Sequence, residues 1–204
     1  MGNELITANS RELATELTSY DTKMLGVFEY LGLPTDNILV KVDERRKVFK
    51  NIEDVLELLS SDTLGNSIYI SKFLSAVSAG LFDAALNYLW DETVSQLRFR
   101  VSQYDIQYFY DLAVTSDKRN KLSTEEDLVK IDDSELIQGA KEIGLISDIG
   151  YRLLDNIKFM RNWASSAHPN QNELTGLQLI EWLETCIREV ISLPLSNLTI
   201  QIGK

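Results

Sequence analysis

One short stretch of the chain, residues 161 to 170, combines an arginine with a histidine at a spacing that suits chemistry on a phosphate. His168 is the only histidine of the chain, and Arg161 precedes it by seven residues. Seven residues make nearly two turns of α-helix, so both side chains would share one helix face, about 10 Å apart along its axis. They are too far apart for direct contact, but both could reach one phosphate, particularly with a second subunit.

The two residue types supply complementary chemistry. The guanidinium fork of arginine matches the charge distribution of a phosphate. Pro169 disfavours helical geometry at His168, so the helix should end near Ala167. The partial negative charge at a helix C-terminus favours imidazolium, and a histidine that titrates near neutrality can transfer a proton. The same residues are also compatible with a surface ion pair and a helix stop, neither of which implies an activity.

The sequence around this pair resembles that of HEPN domains, a family of all-helical, metal-independent ribonucleases. The family carries an arginine, a polar residue, a short spacer and a histidine. Arg161, Asn162 and His168 follow this order, with six residues between Arg161 and His168. The phrase Arg-Asn…Ala-His-Pro-Asn is similar to the abortive-infection branch. Residues 81 to 88 are similar to the family's earlier core helix, and the resemblance spans residues 67 to 193.

The resemblance implies an endoribonuclease that acts as a homodimer with a composite active site. In such an enzyme His168 handles the proton of the ribose 2′-hydroxyl or of the leaving oxygen. Arg161 stabilises the charge on the phosphate, and Asn162 binds the phosphate or orients the histidine. Lys158 and Ser165 are expected to bind the RNA. No metal or cofactor is expected, and cleavage would leave a 2′,3′-cyclic phosphate.

The resemblance also implies a role in bacterial antiphage defence or as a toxin, under the control of an antitoxin or regulatory protein. Some members of the family are thought to bind RNA or proteins without cutting. A catalytically silent helical module is therefore the alternative. The net charge of −11 favours this alternative, because it argues against binding nucleic acid through bulk electrostatics.

Two basic segments could still make local contacts with RNA. They contain Lys41, Arg45, Arg46, Lys47 and Lys50 in the first segment, and Lys118, Arg119 and Lys121 in the second. A solvated face or loop is the more ordinary explanation for such runs. Near the long central helix, Asp91 or Glu92 could orient Arg161, or both could simply face solvent.

Sparse proline and glycine, with apolar residues at spacings of three and four, predict an all-α fold with long core helices. Predicted helices cover residues 11–31, 51–59, 67–110 as one or two helices with a break at Gly80, a segment capped by Thr124, 132–144, 147–167 and 172–190. The predicted domains are a helical extension (1–60), a HEPN-like bundle (61–195) and a tail (196–204).

The helix that carries the arginine should begin after Ser147. Its buried stripe is predicted to contain Ile149, Leu153, Ile157, Met160, Ala164 and Ala167. Trp163 and Trp182 are better explained by core or dimer packing than by base stacking.

The lengths of the apolar runs and the cysteine count exclude several classes of protein. No apolar run reaches the roughly 18 to 20 residues that span a bilayer, and no secretory signal precedes the first helix. A cytoplasmic protein is therefore expected. Cys186 is the only cysteine, so an internal disulfide is excluded and a buried, unreactive thiol is expected. One cysteine and one histidine do not make a zinc site.

Overall fold

The computed structural model describes residues 10–164 and 174–193, and all regular structure within these ranges is helical. The predicted all-α fold class is therefore confirmed. None of the described helices is long and apolar enough to cross a bilayer. The α-helices are α1 (Ser10–Tyr30), α2 (Val42–Leu56), α3 (Ser61–Asn66), α4 (Ile68–Ser78), α5 (Phe82–Ser102), α6 (Ile106–Ala113), α7 (Ser116–Arg119), α8 (Asp133–Glu142), α9 (Asp148–Asn162) and α10 (Gly176–Cys186). A 3₁₀ helix (Glu125–Lys130) precedes α8, and a π-helical turn (Ile187–Ile191) continues α10.

Capping side chains fix the starts of α8 and α9. Asp132 Oδ1 accepts a hydrogen bond of 2.9 Å from the Glu135 N–H, and Glu135 Oε2 accepts one of 2.9 Å from the Asp132 N–H. This reciprocal pair satisfies two backbone donors that a helix start otherwise leaves unpaired. Ser147 Oγ accepts a hydrogen bond of 2.9 Å from the Gly150 N–H. The predicted starts of both helices are confirmed.

The apolar stretch from residue 67 to 110 forms three helices rather than one or two. The predicted break at Gly80 is confirmed, and this glycine has a φ of 75°. The second break separates α5 from α6. There Asp105 Oδ1 accepts hydrogen bonds of 3.1 Å from the N–H groups of Gln107 and Tyr108. An aspartate at this position stops one helix and starts the next, although the apolar spacing runs on through it.

The chain divides into two compact units. Among the described residues, the first unit groups 10–91 with 158–164 and 174–184, and the second groups 92–157 with 185–193. Each unit therefore combines segments that are distant in sequence. The expected division into an extension, a bundle and a tail stays a prediction.

A buried arginine, Arg45, organises the first unit. Helix α2 begins at Val42, well before the predicted start at residue 51, and its buried residues are Arg45, Val48, Ile52 and Val55. Two N–H groups of Arg45 donate to the carboxylate of Asp21 on α1, at 2.6 and 2.8 Å. Arg45 also donates hydrogen bonds to two backbone carbonyls, from Nε to Val40 at 2.7 Å and from Nη1 to Ser78 at 3.2 Å. The interpretation of the first basic segment as a solvated face is therefore wrong for Arg45, which is 1% exposed.

The turn between α4 and α5 is shaped by the same guanidinium. The Gly80 carbonyl accepts a hydrogen bond of 2.9 Å from the Val40 N–H. A Cβ atom at Gly80 would lie 2.7 Å from Nη2 of Arg45, closer than two such atoms can approach. Glycine is required here both for this contact and for the positive φ.

A second buried arginine, Arg100, lies in the second unit and is 7% exposed. Its Nη2 donates to the carbonyls of Ile191 and Leu193 at 2.7 and 2.9 Å, and Nη1 donates to Gln96 Oε1 at 2.9 Å. Burial lowers the pKa of Arg100 from its ordinary value. These contacts satisfy carbonyls at the end of the π-helical turn that continues α10.

The buried stripe of α9 differs from the predicted one. Gly150, Leu154 and Ile157 are buried, whereas Ile149 and Leu153 are 72% and 40% exposed. Within the second unit, the Glu189 carboxylate occupies the space that a side chain at Gly150 would fill. The absence of a side chain at this glycine therefore allows close packing on that face, and the prediction is wrong for Ile149 and Leu153.

Candidate functional site

The candidate site is centred on Arg161, in the last turn of α9. Arg161 continues the buried stripe of this helix, four residues after Ile157, so its half-buried side chain is directed inward. Its Nε donates a hydrogen bond of 2.8 Å to Asn87 Oδ1 on α5. Its Nη1 donates one of 3.1 Å to Asn162 Oδ1. Two amide side chains thus hold the plane of the guanidinium in one orientation.

The positive charge of Arg161 has no carboxylate partner among the described residues. Both acceptors are neutral amides, and Nη2 donates to no acceptor in this part of the chain. An arginine with an available N–H edge can bind a phosphate through two parallel hydrogen bonds. Partial burial strengthens such an interaction, because the effective dielectric constant is lower than in water.

Of the two acids that the sequence suggested as partners of Arg161, Asp91 and Glu92, the second has another role. Asn87, one turn before Asp91 on α5, accepts a hydrogen bond from the guanidinium and orients it. Glu92 is 3% exposed, and its Oε1 accepts a hydrogen bond of 3.0 Å from Gln96 Nε2. The interpretation of Glu92 as a solvent-facing residue is therefore wrong.

The α-helical part of α9 ends at Asn162, next to the arginine. Trp163 and Ala164 continue the chain in π-helical geometry. Such widened turns are rare and occur often at functional sites. Asn162 itself is exposed, with its amide oxygen towards Arg161.

The other predicted site residues fall into two groups. Lys158 is half-buried and lies one turn before Arg161, on a neighbouring position of the same helix. Ser165 and His168 lie outside the described residues, and so does the predicted helix end near Ala167. The structure therefore brings Lys158, Arg161 and Asn162 together on one helical turn.

Two aromatic side chains lie on the face of α9 opposite to Arg161. The rings of Phe159 and Trp163 are stacked, with centroids 6.0 Å apart and an angle of 22° between their planes. Phe159 is 58% exposed. Trp182 on α10 is buried, so the packing interpretation is confirmed for this tryptophan.

A second cation lies on the α4–α5 side of the first unit. Lys72 is exposed, and its Nζ is 5.3 Å from the ring centroid of Tyr69 and 5.6 Å from that of Tyr88. Tyr88 directly follows Asn87, the residue that orients Arg161. Lys72 forms no ion pair within the described ranges, so two rings rather than a carboxylate face its ammonium group.

Several cations of the two basic segments are neutralised within the chain. Ion pairs join Arg45 to Asp21, Arg46 to Asp43, Lys47 to Glu44, Lys118 to Glu135 and Arg119 to Asp111. These pairs offset much of the positive charge that the two segments could present to a polyanion.

The described residues include no group of three or more histidine, cysteine, aspartate or glutamate side chains arranged to hold a metal ion. Cys186 is buried, as expected, and burial raises the pKa of its thiol to about 12. A thiol in this environment is a poor nucleophile.

Asn87 is the site residue that the sequence did not identify. It is a polar residue on α5 beside the fully buried Leu86 and Leu89. That position was the available signal, because a polar side chain at the edge of a buried face usually has a defined partner. Arg161 lies 74 residues further along the chain, so spacing alone could not reveal the pair.

Comparison of the chain with protein-family models, with curated proteins and with solved structures gives no match.

Proposed function

We propose that the chain is a metal-independent endoribonuclease of the HEPN type. The observation that supports this most directly is the half-buried guanidinium of Arg161. It is oriented by Asn87 and Asn162 through neutral amide oxygens and has no carboxylate partner among the described residues. The more deeply buried Arg45 is by contrast neutralised by Asp21. A half-buried guanidinium with no carboxylate partner among the described residues is suited to an anion that arrives from outside.

The proposed reaction is transesterification at a ribose phosphate. The ribose 2′-oxygen attacks the adjacent phosphorus, the bond from phosphorus to the 5′-oxygen breaks, and a 2′,3′-cyclic phosphate forms. His168 accepts the proton of the 2′-hydroxyl or supplies one to the leaving 5′-oxygen. Arg161 binds the phosphoryl oxygens and stabilises the charge that grows on them. Asn162, Lys158 and Ser165 contact the phosphate or orient these groups.

The proposal includes a homodimer, because one chain offers a single histidine for the two proton transfers. Two copies would provide one proton acceptor and one donor across a composite site. The biological setting that we propose is bacterial antiphage defence or a toxin–antitoxin pair in the cytoplasm, with an antitoxin or regulatory protein as a further partner.

Cleavage of RNA in the presence of EDTA tests this function. We expect the wild-type chain to cleave single-stranded RNA and to leave an all-deoxy strand of the same sequence intact, because the attacking hydroxyl is absent. Arg161→Ala should reduce the cleavage rate about 100-fold or more, a typical loss for one transition-state contact. Arg161→Lys should restore only part of it, since lysine cannot bind phosphate as a planar fork.

Two further variants separate catalysis from general charge effects. His168→Ala should abolish cleavage, whereas Lys23→Ala, which removes an exposed cation on α1, should leave the rate unchanged. Full cleavage by Arg161→Ala or His168→Ala would contradict the proposal. So would cleavage that requires a divalent cation.

The alternative, a catalytically silent module that binds a protein or RNA, is favoured by exposed apolar side chains. Phe159 is 58% exposed, and Tyr20, Tyr30 and Leu31 near the first helix are 47%, 89% and 61% exposed. Such side chains are typical of binding surfaces when they cluster. Intact RNA together with stable dimerisation or RNA binding by the wild-type chain would favour this alternative.

A further inference from the structure

The pairing of Lys72 with two tyrosine rings is unusual for a surface cation of this acidic chain. Lys72 is exposed on α4, and the half-buried rings of Tyr69 and Tyr88 lie within 5.3 and 5.6 Å of its Nζ. An ammonium group over a ring face is attracted by the negative charge density of that face. The two rings therefore restrict the flexible lysine without neutralising its charge.

The arrangement differs from that of three cations on α2. Arg45, Arg46 and Lys47 each form an ion pair with a carboxylate. Lys72 keeps a full positive charge exposed to solvent, and aromatic neighbours order its side chain in advance. Ordering in advance reduces the entropy that a charged side chain loses when it binds a ligand.

Lys72 and Arg161 both contact side chains of α5, at adjacent positions. Asn87 bonds Arg161 Nε at 2.8 Å, and Tyr88 is the next residue of α5. Consecutive Cα atoms are about 3.8 Å apart, so the Cα atom of Tyr88 lies within roughly 10 Å of the guanidinium. Within the first unit, adjacent residues of α5 thus contact two cations that form no ion pair among the described residues, Asn87 contacting Arg161 and Tyr88 contacting Lys72.

We propose that Lys72 binds a second phosphate of the strand that Arg161 contacts, and that Tyr69 and Tyr88 position its ammonium group. The ligand is single-stranded RNA, which the two cations bind through separate phosphates of one strand. This inference rests on the proposed ribonuclease function, because the strand must pass Arg161. Lys72 would add affinity for the strand rather than take part in the reaction.

The salt dependence of binding tests the inference. The probe is a short, fluorescently labelled 2′-O-methyl RNA strand, which the proposed reaction cannot cleave, and fluorescence anisotropy gives its affinity at several salt concentrations. Each phosphate contact to a single strand contributes about 0.7 to the slope of log affinity against log salt concentration. We expect Lys72→Ala to reduce that slope by about 0.7. The matched control Lys23→Ala makes the same change in net charge and should keep the wild-type slope.

Tyrosine variants test the positioning role. Tyr88→Leu removes a ring face but not the cation, so it should weaken binding about two- to five-fold and retain the wild-type slope. Tyr88→Phe keeps the face and should bind as tightly as the wild type. Thermal unfolding of each variant identifies those that fail to fold, and Lys72→Gln serves as a second substitution that changes the surface little.

Failure of the inference and failure of the proposed function are distinguishable. If the wild-type chain cleaves RNA but Lys72→Ala and Lys72→Gln bind the probe with an unchanged slope, the inference is wrong and the ribonuclease proposal stands. If the wild-type chain binds the probe and Lys72→Ala reduces the salt slope as predicted, but the wild-type chain cleaves no RNA, the nuclease proposal fails and the proposed contact of Lys72 with RNA remains. A wild-type chain that does not bind the probe overturns the inference.

Discussion

Removal of the Asp21 carboxylate should strongly destabilise the chain, because it isolates a buried cation. Arg45 is 1% exposed, and Asp21 accepts two of its hydrogen bonds, at 2.6 and 2.8 Å. In Asp21→Ala the guanidinium retains only two carbonyl acceptors and has no counter-charge. The substitution therefore leaves desolvation of the charge uncompensated rather than removing an ordinary surface contact.

The expected loss follows from the burial of the two partners. Breaking a buried ion pair on one side costs about 3 to 5 kcal/mol. Asp21 is 16% exposed, so water can enter the vacated space and the lower end of this range applies, about 3 kcal/mol. With a urea m-value of about 2 kcal/mol per molar, the unfolding midpoint should fall by about 1.5 M.

Urea unfolding at neutral pH measures this loss. The matched control is Asp43→Ala, which breaks the exposed pair with Arg46, where the side chains are 37% and 83% exposed. Its effect should stay below about 0.5 kcal/mol. Asp21→Asn, which keeps one acceptor but no charge, should fall between the two alanine variants. If Asp21→Ala unfolds at the same urea concentration as Asp43→Ala, the central role of Arg45 is refuted.

Three other predictions concern titration, reactivity and backbone strain. Contacts with Lys47 and with the Gly176 N–H lower the pKa of the Glu44 carboxyl. Glu44 should therefore stabilise the fold at pH values above its ordinary pKa of 4.5, and this stabilisation should be lost as the pH falls below that value. Unfolding curves at pH 7 should show Glu44→Gln about 0.5 to 1 kcal/mol less stable than the wild type, and the gap should close in acid. Iodoacetamide at pH 8 should leave Cys186 unmodified in the native chain and alkylate it in urea, as mass spectrometry would show. Gly80→Ala should lower the free energy of unfolding by at least about 1 to 2 kcal/mol from its positive φ alone.

Each of these three predictions would be contradicted by a specific result. Glu53→Gln removes an exposed acid of the same helix, and the prediction for Glu44 fails if both variants show the same pH dependence. Rapid alkylation of the native thiol would mean that Cys186 is accessible. A Gly80→Ala chain with the stability of the wild type would show that the turn adjusts without cost.

Local signals predicted the starts of α8 and α9, but not that of α2. A start at Asp132 or Asp133 and a cap at Ser147 were predicted because capping depends on residues within one turn, and the observed hydrogen bonds are of this kind. Gly80 was recognised as a break for a similar reason. These features depend on short-range chemistry that the sequence displays directly.

Long-range partners could not be predicted in the same way. Spacing places Arg45 in line with the buried Val48 and Ile52, yet only the fold reveals Asp21 as its counter-ion, 24 residues earlier. Helical periodicity grouped Ile149 with Leu153 correctly on one face. It could not show which of two apolar faces of α9 would be covered, because that depends on the neighbouring helices.

The same distinction applies to the candidate site. The sequence identified Arg161 and Asn162 through their order along the chain, and the structure places them together. The sequence could not identify Asn87 as a partner of Arg161, or Lys72 as a neighbour of Tyr88, because both contacts depend on the packing of α5 against other helices.

The close approach of Gly80 to the Arg45 guanidinium makes the residues at positions 21, 45 and 80 depend on one another. A larger residue at position 80 collides with the arginine, and the arginine in turn requires the acid at position 21. In variants of this chain, positions 21, 45 and 80 should therefore change together. A smaller apolar residue at position 45 should remove the need for an acid at position 21 and the steric restriction at position 80, where the positive φ still favours glycine.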